Sequence, residues 1–164
     1  MKKTHMITTM AVFVAIGTLG SQLLWFPAGI AKAYPVQHAV NVIAAVILGP
    51  GPAVGIAFMI GLVRNLLGLG TLLAFPGGMI GALLAGILYQ KLGKKRWATV
   101  GEMIGTGVLG SLCAVPISTI LLGNPVGALF FMPSFLVSSV TGAFIGLFIV
   151  SRLNERSITR IQGT

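Results

Sequence analysis

Apolar stretches approaching membrane-spanning length follow one another through almost the whole chain, and turn residues separate them more often than charges do. A helix needs about 20 predominantly apolar residues to cross a bilayer. Only 8% of the 164 residues are charged and 55% are hydrophobic. A soluble domain of this size would need a charged surface that two acidic and eleven basic residues do not supply. In lipid, every backbone polar group must be satisfied internally, so a chain like this must form helices or a closed barrel. The segments read as helices, and the fold class expected is all-α: a polytopic six-helix bundle forming one integral membrane domain over residues 1–164.

Gly, Pro and Asn mark the breaks. Helices are expected over 5–24, 36–48, 53–67, 77–92, 98–122 and 126–150. The breaks hold Pro27, Gly29 and Pro35, then Gly49-Pro-Gly-Pro52, a broken or re-entrant connection over 68–76, the basic run at 91–96, and Gly123-Asn-Pro125. Lys2-Lys3 followed by an apolar run resembles a secretion signal, but membrane segments simply continue, so it reads as a retained first helix.

The net charge of +9 raises the question of nucleic acid, and the placement of the charges answers it. Lys2, Lys3, Lys91, Lys94, Lys95, Arg96, Arg152, Arg156 and Arg160 punctuate the apolar segments. With six crossings and both termini cytoplasmic, all nine face inward, as the positive-inside rule requires. Lys32 then falls in an outer loop and Arg64 near the outer end of the third helix, while Trp25 and Tyr34 fit the aromatic belt of an interface. Close helix packing is written in pairs of small residues four apart: Ala11/Ala15, Gly77/Gly81, Ala82/Gly86, Gly101/Gly105 and Gly142/Gly146.

Ionisable and amide side chains are expensive at membrane depth and mark functional positions there. Gln37, His38 and Asn41 share one sector of the second helix by their i, i+3 and i, i+4 spacing. Together with Lys32 and Tyr34 they suit a small polar heteroaromatic ligand: rings to stack on, amides to bond, and an imidazole able to donate or accept. Arg64 and Asn65 must face the interface, an acid or a hydrated pocket. Phe75 offers a further ring before the fourth helix. Glu102 falls near the cytoplasmic end of the fifth helix, at a depth that does not match Arg64, and reads as a headgroup-level residue. Ser118, Thr119, Ser138, Ser139 and Thr141 are expected to bond to their own helix backbones.

Lone Cys113 can form no intramolecular disulfide and belongs to no metal motif. H-E-x-x-H, G-x-S-x-G and Walker A sequences are missing, so no enzyme class and no cofactor is indicated. A stand-alone channel would need a continuous polar path, whereas the polar groups here concentrate near one face.

The first-helix Ala11-Val-Phe-Val-Ala15 resembles the A-x-x-x-A motif of S components of energy-coupling factor (ECF) vitamin transporters. The series Phe26-Pro-Ala-Gly, Lys32-Ala-Tyr-Pro-Val-Gln-His38, Asn41-Val-Ile-Ala-Ala, Leu48-Gly-Pro, Arg64-Asn-Leu-Leu-Gly68 and Gly70-Thr-Leu-Leu-Ala-Phe-Pro-Gly77 is similar to the ThiW branch, associated with hydroxyethylthiazole, a thiamine precursor. The resemblance implies a substrate-binding subunit in a prokaryotic plasma membrane, working with a transmembrane coupling protein and two ATPases. It casts Ala11 and Ala15 as the docking surface and 26–35 as a lid. S components for hydroxymethylpyrimidine or thiamine are the neighbouring alternatives.

Overall fold

A computed structural model describes residues 3–29 and 31–154. Lys2, Arg156 and Arg160 lie outside the described residues. Six helices are present among those described: α1 (Lys3–Leu23), α2 (Pro35–Leu48), α3 (Pro50–Leu66), α4 (Ala74–Leu92), α5 (Lys95–Leu121) and α6 (Met132–Arg152). By length and composition α1, α5 and α6 are long and apolar enough to cross a membrane, whereas α2 and α3 are shorter.

Several boundaries differ from the sequence expectation, and proline chemistry explains most of them. The first residues of a helix have no intrahelical partner for their N–H groups, so a proline there loses nothing. Pro35 and Pro50 accordingly open α2 and α3, Pro76 lies in the first turn of α4, and Pro133 in that of α6. Gly49 alone, with φ of 86°, makes the turn between α2 and α3; Pro50 and Pro52 already belong to the helix. The expected break at 68–76 shrinks to 67–73. The last helix starts at Met132 rather than near 126, after an irregular stretch from 122 to 131.

The break after α1 is not irregular. Strands β1 (Phe26–Ala28) and β2 (Ala31–Ala33) pair antiparallel, with Phe26 opposite Ala33 and Pro27 opposite Lys32. This small hairpin is the one departure from an all-α chain among the described residues.

Glycines set how closely the helices pack. A Cβ on Gly101, Gly105 or Gly110 of α5 would meet the backbone of Leu84, Gly81 or Gly77 of α4 in turn. Gly105–Gly110 forms a stretch of wide π turns, which lets two glycines five residues apart both face α4. Gly86 abuts Pro50, and Gly142 and Gly146 abut Pro35 and Ala39 of α2. These approaches run successive helices in alternating directions. The α1–α2, α3–α4 and α5–α6 connections therefore share one end. The opposite end carries Lys91, Lys94, Lys95, Arg96 and Arg152, where Lys95 Nζ donates to Leu153 O at 2.8 Å.

The exposed surface differs from that of a soluble protein. Ile7, Val12, Ile16, Leu23, Ile120, Phe144 and Phe148 are exposed, while Gln37, Asn41, Arg64, Glu102, Ser111 and Ser139 are buried. An apolar exterior, with the few polar side chains turned into a core otherwise of Val, Ile and Ala, is what a bilayer solvent selects.

Candidate functional site

The three connections that share an end enclose a cavity of about 520 Å3. The hairpin supplies Ala31 and Lys32, followed by Tyr34; α2 supplies Gln37 and His38; α3 supplies Arg64. Thr71, Leu73, Ala74 and Gly78 come from the α3–α4 connection and the start of α4. Thr106 rises from α5, and Phe130, Phe131, Ser134, Phe135 and Ser138 form the wall on the α6 side.

The hairpin is fastened to α6 by two hydrogen bonds. Ser134 Oγ donates to Ala28 O at 2.7 Å, and the backbone N–H of Tyr34 donates to Ser138 Oγ at 2.8 Å. Ser138 thus serves a distant element rather than its own helix, in contrast to expectation. Ser139 and Thr141 do bond back to Leu136 O and Val137 O. Ser118 reaches Asn124 O beyond the end of its helix.

Arg64, only 3% exposed, organises the second wall. Its Nη1 donates to Gln37 Oε1 at 2.6 Å, its Nη2 donates to Leu69 O at 3.2 Å, and its guanidinium lies 3.9 Å from the centre of the Tyr34 ring. A cation held at a helix C-terminus also meets the negative end of the helix dipole. Lys32 Nζ lies 4.0 Å from the Trp25 ring centre at the rim. Asn65 turns away from the cavity: its Nδ2 donates to Gly61 O and Thr71 O, which shapes the α3–α4 connection.

Beneath the cavity lies a polar cluster. His38 Nδ1 is 2.7 Å from Glu102 Oε1. Asn41 Nδ2 donates to the same oxygen and to Gly78 O, each at 3.1 Å. Thr106 Oγ1 stands 2.9 Å from both Glu102 Oε1 and Gly77 O. Glu102 is fully buried, so its expected place among headgroups is corrected. The error comes from the length of α2. With 14 residues it is about 21 Å long, and the hairpin fills the space above it, so His38 begins deep in the bundle. Glu102, two turns into α5, meets it there.

Lys32, Tyr34, Gln37, His38 and Arg64 therefore line the cavity together. Asn41 supports it from below. Phe75 is placed elsewhere: its ring packs against Gly61 and against Phe58, with ring centres 5.7 Å apart. The aromatic wall is instead Phe130, Phe131 and Phe135, with centre separations of 5.2 and 6.2 Å between neighbours. These rings and Thr106 are not among the residues expected from the sequence; the run Leu129-Phe-Phe-Met-Pro-Ser134 before a proline-opened helix is the signal that points to them.

The arrangement can enclose a compact ring against aromatic walls and meet a few polar atoms through an imidazole, an amide and hydroxyls. Ala11 and Ala15 lie far from it, exposed on the outer face of α1 beside Val12 and Ile16. The other small-residue pairs contribute to contacts inside the bundle, as with Gly77 and Gly81 against α5.

No curated protein and no solved structure matches the chain. A family model described as thiamine-precursor transporter protein (ThiW) matches residues 7–156, nearly its full length. The chain belongs to the ThiW family of thiamine-precursor transporters.

Proposed function

We propose that this transporter is the substrate-binding subunit of an ECF-type importer and that its substrate is hydroxyethylthiazole. The observation that carries this reading is the cavity itself: three phenylalanines on one wall, with His38, Gln37, Thr106 and Ser138 as its polar partners. A thiazole is compact, aromatic and weakly polar, and such a lining provides ring contacts with few charges. The volume lies within the range of small-molecule sites.

Six crossings with both termini cytoplasmic put the cavity at the outer face and the described basic cluster inside. The short α2 and α3 span with help from the hairpin and connections stacked above them. Ala11 and Ala15 form a flat strip of small side chains on an otherwise bulky exposed face, which suits close approach of a coupling-protein helix. Hydrolysis of ATP falls to two separate ATPase subunits, in the plasma membrane of a prokaryote.

Calorimetry on the purified, detergent-solubilised protein tests the substrate, with hydroxymethylpyrimidine and thiamine as competitors. Binding of the thiazole in preference to both is expected. Preference for a competitor would move the chain to another precursor. Copurification with a coupling protein and two ATPases tests the assembly.

A further inference from the structure

Glu102 does not line the cavity itself; it is fully buried and meets two lining residues, His38 and Thr106, and Asn41 beneath them. A carboxylate sealed in a membrane bundle is costly unless its partners compensate it. Its position relative to His38 assigns it a task.

An imidazole beside a carboxylate keeps its N–H on the nitrogen facing that carboxylate. Glu102 Oε1 is already an acceptor for Asn41, so His38 Nδ1 must donate to it. The other ring nitrogen has no hydrogen-bond partner among the described residues, and it is not among the sealed polar atoms, so it opens on the cavity that His38 lines. In the tautomer that donates from Nδ1, His38 Nε2 presents a lone pair to the ligand.

We infer that Glu102 is a positioning residue that holds His38 as a hydrogen-bond acceptor for the hydroxyl of the substrate, and so selects a heteroaromatic alcohol over its ether or phosphate ester. The inference rests on the proposed substrate, because hydroxyethylthiazole carries one hydrogen-bond donor, its hydroxyl. An O-methyl ether keeps the ring and the oxygen and loses that donor. A phosphate ester replaces the alcohol O–H with anionic oxygens, which are acceptors set against an acceptor nitrogen. A site built for a donor rejects the analogue that lacks it, because a desolvated acceptor is left unpaired.

Two measurements on the wild-type protein decide the matter. Histidine 15N spectra are simple because the chain has two histidines, and His5→Gln assigns the pair. A neutral ring protonated at Nδ1 is expected for His38. Calorimetry should show the alcohol binding at least about tenfold tighter than its methyl ether and its phosphate ester. A third test uses Glu102→Met, which frees the ring to move its proton to Nε2; the alcohol-to-ether preference should then fall to within about threefold, and Glu102→Asp should restore part of it. A ring protonated at Nε2 or at both nitrogens overturns the inference. So does an ether or ester that binds as well as the alcohol, and in that case the thiazole assignment stands. Failure of alcohol, ether and ester alike to bind a folded protein removes the substrate assignment, and the inference with it.

Discussion

Glu102 Oε1 and His38 Nδ1 meet at 2.7 Å across 64 positions of sequence, joining α5 to α2 under the floor of the cavity. Asn41 and Thr106 converge on the same oxygen. Removing the carboxylate leaves buried His38 Nδ1 without its partner and takes one of two contacts from Asn41 and Thr106, which keep Gly78 O and Gly77 O. Glu102→Ala should therefore lower stability by about 3–5 kcal/mol, the usual cost of breaking a buried pair. Asn41→Ala, which leaves the His38 contact in place, should cost about 1–3 kcal/mol. Thermal unfolding in detergent distinguishes the two, and equal losses would mean that the cluster is not centred on Glu102.

Arg64 ties three pieces of the site to one another: Gln37 on α2, Leu69 in the α3–α4 connection, and the ring of Tyr34. Arg64→Met should loosen the connection, seen as faster amide exchange over 67–73, and weaken thiazole binding at least about tenfold. Arg64→Lys should recover little, because an ammonium cannot reproduce the planar fork that reaches two acceptors while stacking on a ring. Full recovery by lysine would show that only the charge matters.

The aromatic wall and Phe75 give opposite expectations. Phe131→Ala or Phe135→Ala should weaken binding by about 1 kcal/mol or more through lost ring contact. Phe75→Ala should leave affinity unchanged and lower the melting temperature, since that ring fills space against Gly61 and Phe58. Calorimetry and melting curves on the same three proteins check both halves.

Glycine positions separate packing from backbone freedom. A Cβ on Gly142 would run into the carbonyl oxygen of Pro35, and the helix backbone cannot yield as a side-chain tip can. Gly142→Ala should destabilise by about 1–3 kcal/mol. Gly127, in the irregular stretch before α6, has no positive φ and nothing beyond its chain neighbours near its missing Cβ, so Gly127→Ala should be neutral or stabilising by up to about 1 kcal/mol. The same unfolding assay reads both.

Ala11→Trp or Ala15→Trp should abolish uptake into cells while thiazole binding to the purified protein stays near normal, because both positions face outward and away from the cavity. Loss of binding alongside uptake would point to a folding defect instead of a docking surface.

Much of this molecule is legible along the chain. Long apolar runs, prolines and glycines marked six helices, and Gln37, His38 and Arg64 stood out because polar side chains are rare in such runs. Boundaries shifted where a proline served as the start of a helix instead of its end, as at Pro50 and Pro76. The hairpin passed unseen because two three-residue strands carry no periodicity long enough to register.

The sequence by itself determined the solvent, the helix count and the residue types available to a site, because these follow from composition and from local backbone preference. Only the tertiary structure decided depth and pairing. A residue's position along a helix does not say how far that helix is sunk into the bundle, so Glu102 was assigned to the headgroups until the shortness of α2 brought His38 down to it. Phe75 and Phe131 are equally aromatic in sequence, and the packing of α3 against α4 and of α6 beside the hairpin is what sends one into the bundle and the other to the cavity wall.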